Sequence, residues 1–370
     1  MSTNYREDQL QDISKRFQIY GEILHAEPCK IGHINETYTA TYAQGGVNVR
    51  YIHQKINRHV FRAPNEVMEN LMRVTEHIRT RLENEKTDDI TRKVLIVVPT
   101  RDGQSFYVNP DGDFWRTFVF VEGVQSFESV ESDEQAFEAG LAFGAFQNYL
   151  SDLPGERLYE TIPNFHNSRV RFDALKAAIK DDHVNRARNA KAEIEFCMEN
   201  EDMVDIILKG LENGEIPERV THNDTKFNNV MMDKETGKSM CVVDLDTVMP
   251  GSVLYDFGDM VRTTTSPTLE DERDLSRVGM QMPTFKQLVK GYLSSAGEFL
   301  TAKEKSLLPF SGKLIAFTIG LRFLTDYLSG DNYFRVHRQG HNLDRAKTQF
   351  KLVRSIAEQE SEMQEFVDSL

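Results

Sequence analysis

Cysteine is scarce in this chain of 370 residues, which has Cys29, Cys197 and Cys241, and tryptophan occurs once. The three cysteines are far apart, odd in number and form no C-x-x-C pair, so neither a disulfide framework nor a zinc site is indicated. A positive excess is also lacking, because 44 Lys and Arg face 58 Asp and Glu, a net charge of −14. Nucleic-acid binding requires clustered cations and is therefore disfavoured.

Long apolar runs are missing as well. The first ten residues, MSTNYREDQL, are polar and contain no apolar signal core. No stretch approaches the roughly 18–20 apolar residues that a membrane span requires. We expect a cytoplasmic protein with neither membrane nor nucleic-acid partners, and the length suits two domains or one two-lobed enzyme.

The predicted elements change in kind along the chain. An amphipathic helix over residues 1–20 precedes short β-strands that are interrupted by one helix, roughly Pro64–Glu83. After residue 122 the periodicity becomes helical, beginning with a Ser132/Gln135 capping box. We predict an α+β protein with a small β-rich N-terminal lobe (1–122), which ends in a connector, and a larger, mostly helical C-terminal lobe (123–370).

Residues 222–246 carry the most specific pattern. THNDTKFNNV reads as H-x-D-x-K-x-x-N, with His222, Asp224, Lys226 and Asn229, and Asp244-Leu245-Asp246 follows after one turn. The apolar runs on either side of the turn DKETGK predict a β-hairpin. A hairpin returns its second strand beside its first, so we expect Asn229 and Asp244 to lie side by side.

This set of charges suits the transfer of a phosphoryl group from a nucleotide to a hydroxyl. Asp224 would accept the hydroxyl proton, and Lys226 would reach the γ-phosphate. Asn229 and Asp244 offer the hard oxygen ligands that magnesium prefers. Asp246 is either a further magnesium ligand or a hydrogen-bond acceptor for nearby backbone. Asp and Asn are common in surface turns, but five correlated positions favour the functional interpretation.

The stretch resembles the catalytic loop of protein kinases, with Asp and Asn five apart and a metal-binding Asp after the hairpin. However, Asn223 replaces the usual Arg, Asp246 stands where protein kinases have Gly, and YDFGD follows too soon for an activation segment. These departures are similar to the aminoglycoside phosphotransferase and choline kinase superfamily. Within it, VVDLDTVMPGSVLYDFGD and GLRFLTDYLSGDNYF are most similar to N-acetylhexosamine 1-kinases, and the resemblance extends to about residue 354.

The resemblance implies a two-lobed protein-kinase-like fold, ATP and Mg²⁺ as cofactors, and a small sugar as the partner that receives phosphate on its anomeric hydroxyl. Thr247, Arg322 and Tyr333 match sugar-binding positions, and Asp224 would contact the same acceptor. For Arg322 an i,i+4 ion pair with Asp326 is the alternative. The chain as a whole has two alternatives: a kinase for another sugar, choline, homoserine, methylthioribose or an aminoglycoside, and a non-catalytic nucleotide-binding scaffold. We expect a monomer.

The nucleotide-binding residues are predicted in the small lobe. In KIGHINETYTATY (30–42), Gly32 permits a close phosphate approach, and the donors are His33, Asn35 and Thr37. An ordinary hairpin turn is the alternative there. Strand alternation puts Gln54 at the position that usually holds a lysine and turns Lys55 away. The connector WRTFVFVEG, which also reads as an edge strand, would offer backbone groups to adenine, with Phe118 or Phe120 near the ring.

Overall fold

The computed structural model describes residues 7–29 and 34–370. Five antiparallel strands form the main sheet in the order β1-β2-β3-β5-β4. Their bounds are β1 Glu22–Pro28, β2 Glu36–Gln44, β3 Val47–Lys55, β4 Tyr107–Val108 and β5 Phe114–Val119. Gly45 and Gly46, with φ of 61° and 85°, close the β2–β3 hairpin, because this tight turn requires positive φ at both positions.

Helix α1 (Glu7–Ser14) is shorter than predicted. The chain continues as a turn to Phe17, which bridges to Thr100, so the expectation of a helix as far as residue 20 is wrong. The apolar spacing is nevertheless used, because Leu10, Ile13 and Phe17 are buried in one cluster with Trp115 of the sheet. Tertiary contact with the sheet, rather than continued helix, buries the later apolar residues.

Helix α2 (Pro64–Asn84) confirms the helix predicted inside the β-rich segment, and Pro64 occupies its first turn. Its apolar face joins two parts of the molecule. Met68 and Leu71 share a buried cluster with Phe118 of the sheet and with Leu245, which directly follows Asp244. This packing fixes the end of the predicted catalytic hairpin against the sheet.

The C-terminal lobe is mostly helical, as predicted. Its helices are α3 Asp133–Tyr149, α4 Ser168–Asp181, α5 Lys191–Glu199, α6 Ile206–Glu212, α7 Val253–Thr264, α8 Met282–Ala296, α9 Ala302–Ser306, α10 Leu308–Leu328 and α11 His341–Asp368. The Ser132 hydroxyl accepts from the Gln135 N–H, which confirms the predicted start of α3. The helical periodicity of the sequence over about 190–211 predicts one helix there, but a 3₁₀ turn at Glu201–Asp205 divides this stretch into α5 and α6.

Two small sheets lie within this lobe. One has three antiparallel strands, β6 (Val124–Gln125), β8 (Val230–Asp233) and β9 (Ser239–Val242). The other pairs β7 (Arg219–Thr221) with β10 (Met249–Gly251). Among the described residues, no helix has the length and apolar character needed to cross a membrane.

A buried histidine should make the stability of the main sheet depend on pH. His53 is fully buried between the hydroxyls of Tyr42 and Thr117, each 2.8 Å away. Burial lowers the pKa of His53 to about 4, below the value of about 6.5 in an unfolded chain. The unfolded state therefore binds the proton first as the pH falls, and the free energy of unfolding should decrease by about 3 kcal/mol between pH 6.5 and pH 4.

Urea unfolding at several pH values measures this loss, with His53→Gln as the comparison. The variant should be less stable at neutral pH but should lose less stability on acidification. The stability of the variant should still depend on pH to some extent, because burial also lowers the pKa of His166 to about 4. An identical loss in both proteins would contradict the assignment to His53.

Candidate active site

The predicted hairpin is present and brings its two ends together. Val230 pairs with Val242 across β8 and β9, and the Val243 N–H donates to the Asn229 carbonyl at 2.9 Å. Asp244 is therefore adjacent to Asn229, as the sequence predicts. Its backbone is left-handed, with φ of 62°, and turns the chain into a 3₁₀ segment, Leu245–Thr247.

Asp256, near the start of α7, fixes the loop before the hairpin, which contains His222 and Asn223. Its carboxylate accepts from the backbone N–H groups of His222 and Asn223, at 2.9 and 2.6 Å, and from Gln147 Nε2 at 2.7 Å. Burial raises the pKa of Asp256, while His222 and these donors oppose the rise. A buried carboxylate with this many donors fixes the backbone of the loop and stays away from solvent.

His222 joins the loop to the hairpin. Its Nε2 lies 2.9 Å from the Val243 carbonyl, and its Nδ1 lies 3.2 Å from the Asp224 N–H. Since a carbonyl only accepts and an N–H only donates, we assign the proton to Nε2. The side chain is fully buried. These contacts fit a structural role for His222, with no contact to a reacting group.

Asp224 and Lys226 form an ion pair at 2.8 Å. Burial alone would raise the pKa of Asp224, but the charge and hydrogen bond of Lys226, together with the charges of His222 and Arg262, outweigh it and the net shift is downward. The Lys226 side chain is 46% exposed; desolvation by the surrounding protein would lower its pKa, but the charge and hydrogen bond of Asp224, with the charge of Asp259, raise it. Asp224 is therefore a carboxylate at neutral pH, ready to accept a proton.

Asn229 is oriented by this loop. Its Nδ2 donates to the Asp224 carbonyl at 2.8 Å and lies 3.3 Å from the Asp224 carboxylate. Because the amide nitrogen is engaged in this way, the amide oxygen is left for another partner. That oxygen accepts no hydrogen bond from the described part of the chain.

The Asp244 side chain is exposed to solvent and makes no hydrogen bond or ion pair with any described residue. The pKa of Asp244 is raised by desolvation from the surrounding protein atoms, and then by the negative charges of Asp246 and Asp224. A divalent cation would relieve this repulsion. Residues 7–29 and 34–370 contain no group of three or more His, Cys, Asp and Glu that could hold a metal. Magnesium is commonly held by one or two carboxylates together with substrate phosphates, so the donor set fits it.

Asp246 faces the main sheet. Its Oδ1 lies 2.5 Å from Arg116 Nη1 on β5, and its Oδ2 accepts from Asn35 Nδ2 at 2.6 Å. The side chains of Asp246 and Arg116 are each 2% exposed. Sequence reasoning missed Arg116, because the β3–β5 pairing that sets it opposite Gln54 has no signature in the sequence of β5.

Gln54 lies on the face of β3 that turns toward α2 and the hairpin. Its Oε1 is 2.9 and 2.5 Å from Arg116 Nε and Nη2, and its Nε2 donates to the Thr37 hydroxyl at 2.9 Å. Lys55 instead forms an ion pair with Glu36 at 2.7 Å. The predicted alternation is therefore present, and it brings together Asn35, Thr37 and Gln54. Gly32 and His33 lie outside the described residues.

Phe120 lies in the connector, where its N–H donates to the Arg50 carbonyl at 3.1 Å. The Arg50 guanidinium covers the ring at 3.9 Å from its centroid and forms an ion pair with Glu122. The connector thus continues β5, which lies between β3 and β4 and is not the edge strand that the alternative assumed. Arginine occupies one face of the Phe120 ring. An adenine that contacts Phe120 would therefore pack against the opposite face of the ring or against its edge.

Arg322 on α10 is a half-buried cation that makes no hydrogen bond or ion pair with any residue the structure describes. The rings of Phe165, Tyr333 and Phe334 lie 5.4–5.8 Å from its guanidinium. The alternative pair with Asp326 is absent, because Asp326 accepts the backbone N–H groups of residues 332–334. The cation is therefore available to a ligand.

Thr247 and His166 connect this region to the catalytic loop. The buried Thr247 hydroxyl donates to the His222 carbonyl at 2.7 Å. His166 Nε2 lies 2.9 Å from the Asn223 carbonyl, and its ring stacks on Tyr255. No sequence pattern marked His166, which follows Phe165 directly. Thr247 thus contacts the catalytic loop directly, and Arg322 is linked to it through Phe165, the neighbour of His166. A cavity of about 280 Å³ lined by Arg73, Arg157 and Glu218 lies elsewhere, and none of the predicted site residues lines it.

Comparison with known proteins gives one family. A model described as "Phosphotransferase enzyme family" matches residues 25–279, more than half of the chain.

Solved structures show the fold of this family. The chain is similar to a microcompartment-associated aminopropanol kinase, at 17% identity and TM-score 0.57, covering 96% of this chain and 98% of that one. It is similar to an aminoglycoside phosphotransferase from Alicyclobacillus acidocaldarius, at 10% identity and TM-score 0.62, covering 97% and 96%. A Plasmodium vivax ethanolamine kinase matches at 14% identity and TM-score 0.51, covering 88% and 82%.

Proposed function

The chain belongs to the phosphotransferase enzyme family, and from this premise we propose that it transfers the γ-phosphoryl group of ATP to the anomeric hydroxyl of an N-acetylhexosamine. The acceptor would be N-acetylglucosamine or N-acetylgalactosamine, and the product its 1-phosphate. The observation that supports the proposal most strongly is the convergence of Asp224, Lys226, Asn229 and Asp244 on one braced loop and hairpin. Their charges are those that phosphoryl transfer requires.

In this proposal Asp224 orients the acceptor hydroxyl and takes its proton. An anomeric hydroxyl is more acidic than other sugar hydroxyls, so a carboxylate is a sufficient base for a loose transition state. Lys226, now paired with Asp224 at 2.8 Å, would turn to the γ-phosphate. Asn229 and Asp244 would hold Mg²⁺, which neutralises charge on the phosphates. Most of the rate enhancement would come from positioning and electrostatic stabilisation.

We assign the nucleotide to the small lobe (1–122) and the acceptor to the larger lobe (123–370). Thr37 and Gln54 line the sheet face toward the hairpin, and Asn35 bridges to it. Phe120 would contact adenine at the connector. We also propose a monomeric, cytoplasmic enzyme.

The charge around Arg322 favours a neutral acceptor. Arg171 Nη2 donates to the Phe165 carbonyl at 3.3 Å, and the Phe165 ring centroid lies 5.8 Å from the Arg322 guanidinium, so both cations border the same residue. Burial, then the charge of Arg322, lowers the pKa of Arg171. The cationic ammonium groups of choline, ethanolamine, aminopropanol or aminoglycoside acceptors would be repelled by these two guanidinium groups. A sugar offers hydroxyl and acetyl oxygens to the guanidinium and an apolar ring face to Tyr333 and Phe334, which suits an aromatic-lined site.

A panel of acceptors tests the proposal. Purified protein with ATP and Mg²⁺ should release ADP with N-acetylhexosamines and not with amino alcohols, and phosphorus NMR should show an acid-labile anomeric phosphate. Arg322→Met, of similar length, should raise the KM for the sugar by about tenfold or more, the effect of losing a charged hydrogen bond, and leave the KM for ATP unchanged. Turnover confined to amines would overturn the sugar assignment, and no turnover with any acceptor would favour the scaffold alternative.

A further inference from the structure

We infer that Arg116 and Asp246 form a positioning junction that holds the main sheet on the catalytic hairpin, and that Asp246 serves this junction and does not bind magnesium. The inference rests on the proposed nucleotide site. It assigns a function to a buried arginine that the proposed chemistry does not otherwise use. It also removes one carboxylate from the set that faces the metal.

The first support is the direction of the Asp246 side chain. Asp246 is two residues beyond Asp244, yet Asp244 is exposed and unpaired whereas Asp246 is buried. Asp246 Oδ2 accepts a hydrogen bond from Asn35, and Oδ1 lies 2.5 Å from Arg116 Nη1 in an ion pair without hydrogen-bond geometry, so both partners come from the small lobe. Each oxygen is therefore next to a group of the main sheet, while Asp244 keeps its carboxylate free for a ligand.

The second support is how completely the Arg116 guanidinium is surrounded. Its Nε and Nη2 contact Gln54, and its Nη1 contacts Asp246 and, at 3.7 Å, the sulfur of Met68. With 2% of the side chain exposed, no nitrogen is left to point at a phosphate. Arg116 is therefore a positioning residue that acts through Asp246 and Gln54.

The third support is the range of segments that meet at this point. Asn35 also accepts from the Asn57 N–H at 2.9 Å, so it ties the start of β2 to the chain after β3 and to Asp246. Gln54 continues the chain of contacts to Thr37. Strands β2 and β3, which carry the predicted phosphate-binding residues Thr37 and Gln54, are thus fixed, together with β5, to the segment that begins with Asp244. Moving any one of them would displace the triphosphate relative to Asp224.

Removing one partner of a buried ion pair leaves the other charge unpaired in a site of low polarity, which is far more costly than removing both. Arg116→Met and Asp246→Asn should each lower the melting temperature and weaken the binding of metal-free ADP by about tenfold. This is the usual effect of losing a residue that supports a binding group from outside the site. The Arg116→Met/Asp246→Asn double variant should bind ADP no more weakly, and be no less stable, than either single variant. The Mg²⁺ concentration for half-maximal activity should change in none of the three.

The experiment combines denaturant unfolding, calorimetric titration of metal-free ADP and a Mg²⁺ titration of activity. Glu304→Gln is the matched control, because Glu304 is fully buried and pairs with Arg219 at 2.7 Å inside the helical lobe. It should lower stability without changing ADP affinity. If Arg116→Met does not fold, Arg116→Lys keeps the charge but loses the double contact with Gln54 and should show a smaller loss of ADP affinity.

Two results would overturn the junction. One is an Asp246→Asn protein with normal ADP affinity and an increased Mg²⁺ requirement, which would make Asp246 a metal ligand. The other is strictly additive effects of the two substitutions on unfolding and on ADP affinity. Failure of the proposed function is distinguishable, since wild-type protein would then transfer no phosphoryl group while the coupling between Arg116 and Asp246 in unfolding would remain.

Discussion

Replacing Asp224 with asparagine is expected to lower kcat by about 10²–10⁴-fold, the usual contribution of a general base. Asparagine keeps the size of the side chain and its place beside Lys226 and Asn229, but it takes up no proton from the acceptor. The affinity for metal-free ADP should be unchanged, because Asp224 is placed at the acceptor hydroxyl. Steady-state rates from coupled ADP release and calorimetric titration of ADP measure the two quantities.

Asp233→Asn is the matched control for this prediction. Asp233 lies at the far end of the same hairpin, where it pairs with Arg92 at 2.6 Å. Its replacement should change stability and leave kcat near that of the wild type. Near-normal turnover in the Asp224 variant, with the sugar at saturation, would show that another group accepts the proton.

Asp244→Asn is expected to weaken the binding of Mg²⁺-ATP by at least about 10²-fold, since even outer partners of metal ligands cost 10–100-fold. The reason is that Asp244 is an unpaired carboxylate beside two others, so it offers the charge that a divalent cation requires. The variant should bind ATP with the same affinity in the presence and in the absence of Mg²⁺.

Paired calorimetric titrations of ATP, with Mg²⁺ and with EDTA, give this comparison directly. Asp246→Asn serves as the contrasting variant, because it should weaken ATP binding by the same factor with Mg²⁺ and with EDTA. A Mg²⁺ enhancement in Asp244→Asn equal to that of the wild type would exclude Asp244 as a ligand.

The part of the site that sequence reasoning predicts well is local. The apolar runs 230–232 and 240–243 and the turn between them specify a hairpin, and that hairpin alone places Asn229 beside Asp244. Alternation along β3 likewise separates Gln54 from Lys55 correctly. Both patterns depend on chain geometry over a few residues, which is independent of the rest of the fold.

The parts that sequence reasoning misses depend on contacts between distant segments. Arg116 meets Asp246 across 130 positions, and the pairing of β3 with β5 that brings Arg116 to Gln54 has no signature within β5. His166 lies in an irregular segment whose place is set by α4 and the catalytic loop.

The alternative ion pair of Arg322 shows the same limit. The i,i+4 spacing on α10 is real, but Asp326 accepts three backbone N–H groups from the segment after the helix. A carboxylate that satisfies buried backbone donors gains more than one in a partly solvated ion pair. Helical spacing contains no information about that competition.

The backbone of Asp244 limits how this enzyme can change over evolutionary time. At φ of 62° it occupies a region that Gly, Asn and Asp enter readily and that branched residues avoid. A valine or isoleucine there would add about 1–3 kcal/mol of strain to the end of the hairpin. Homologues that have lost catalytic activity should therefore have asparagine or glycine at this position. That one substitution would identify an inactive homologue whose sequence is otherwise similar to that of active ones.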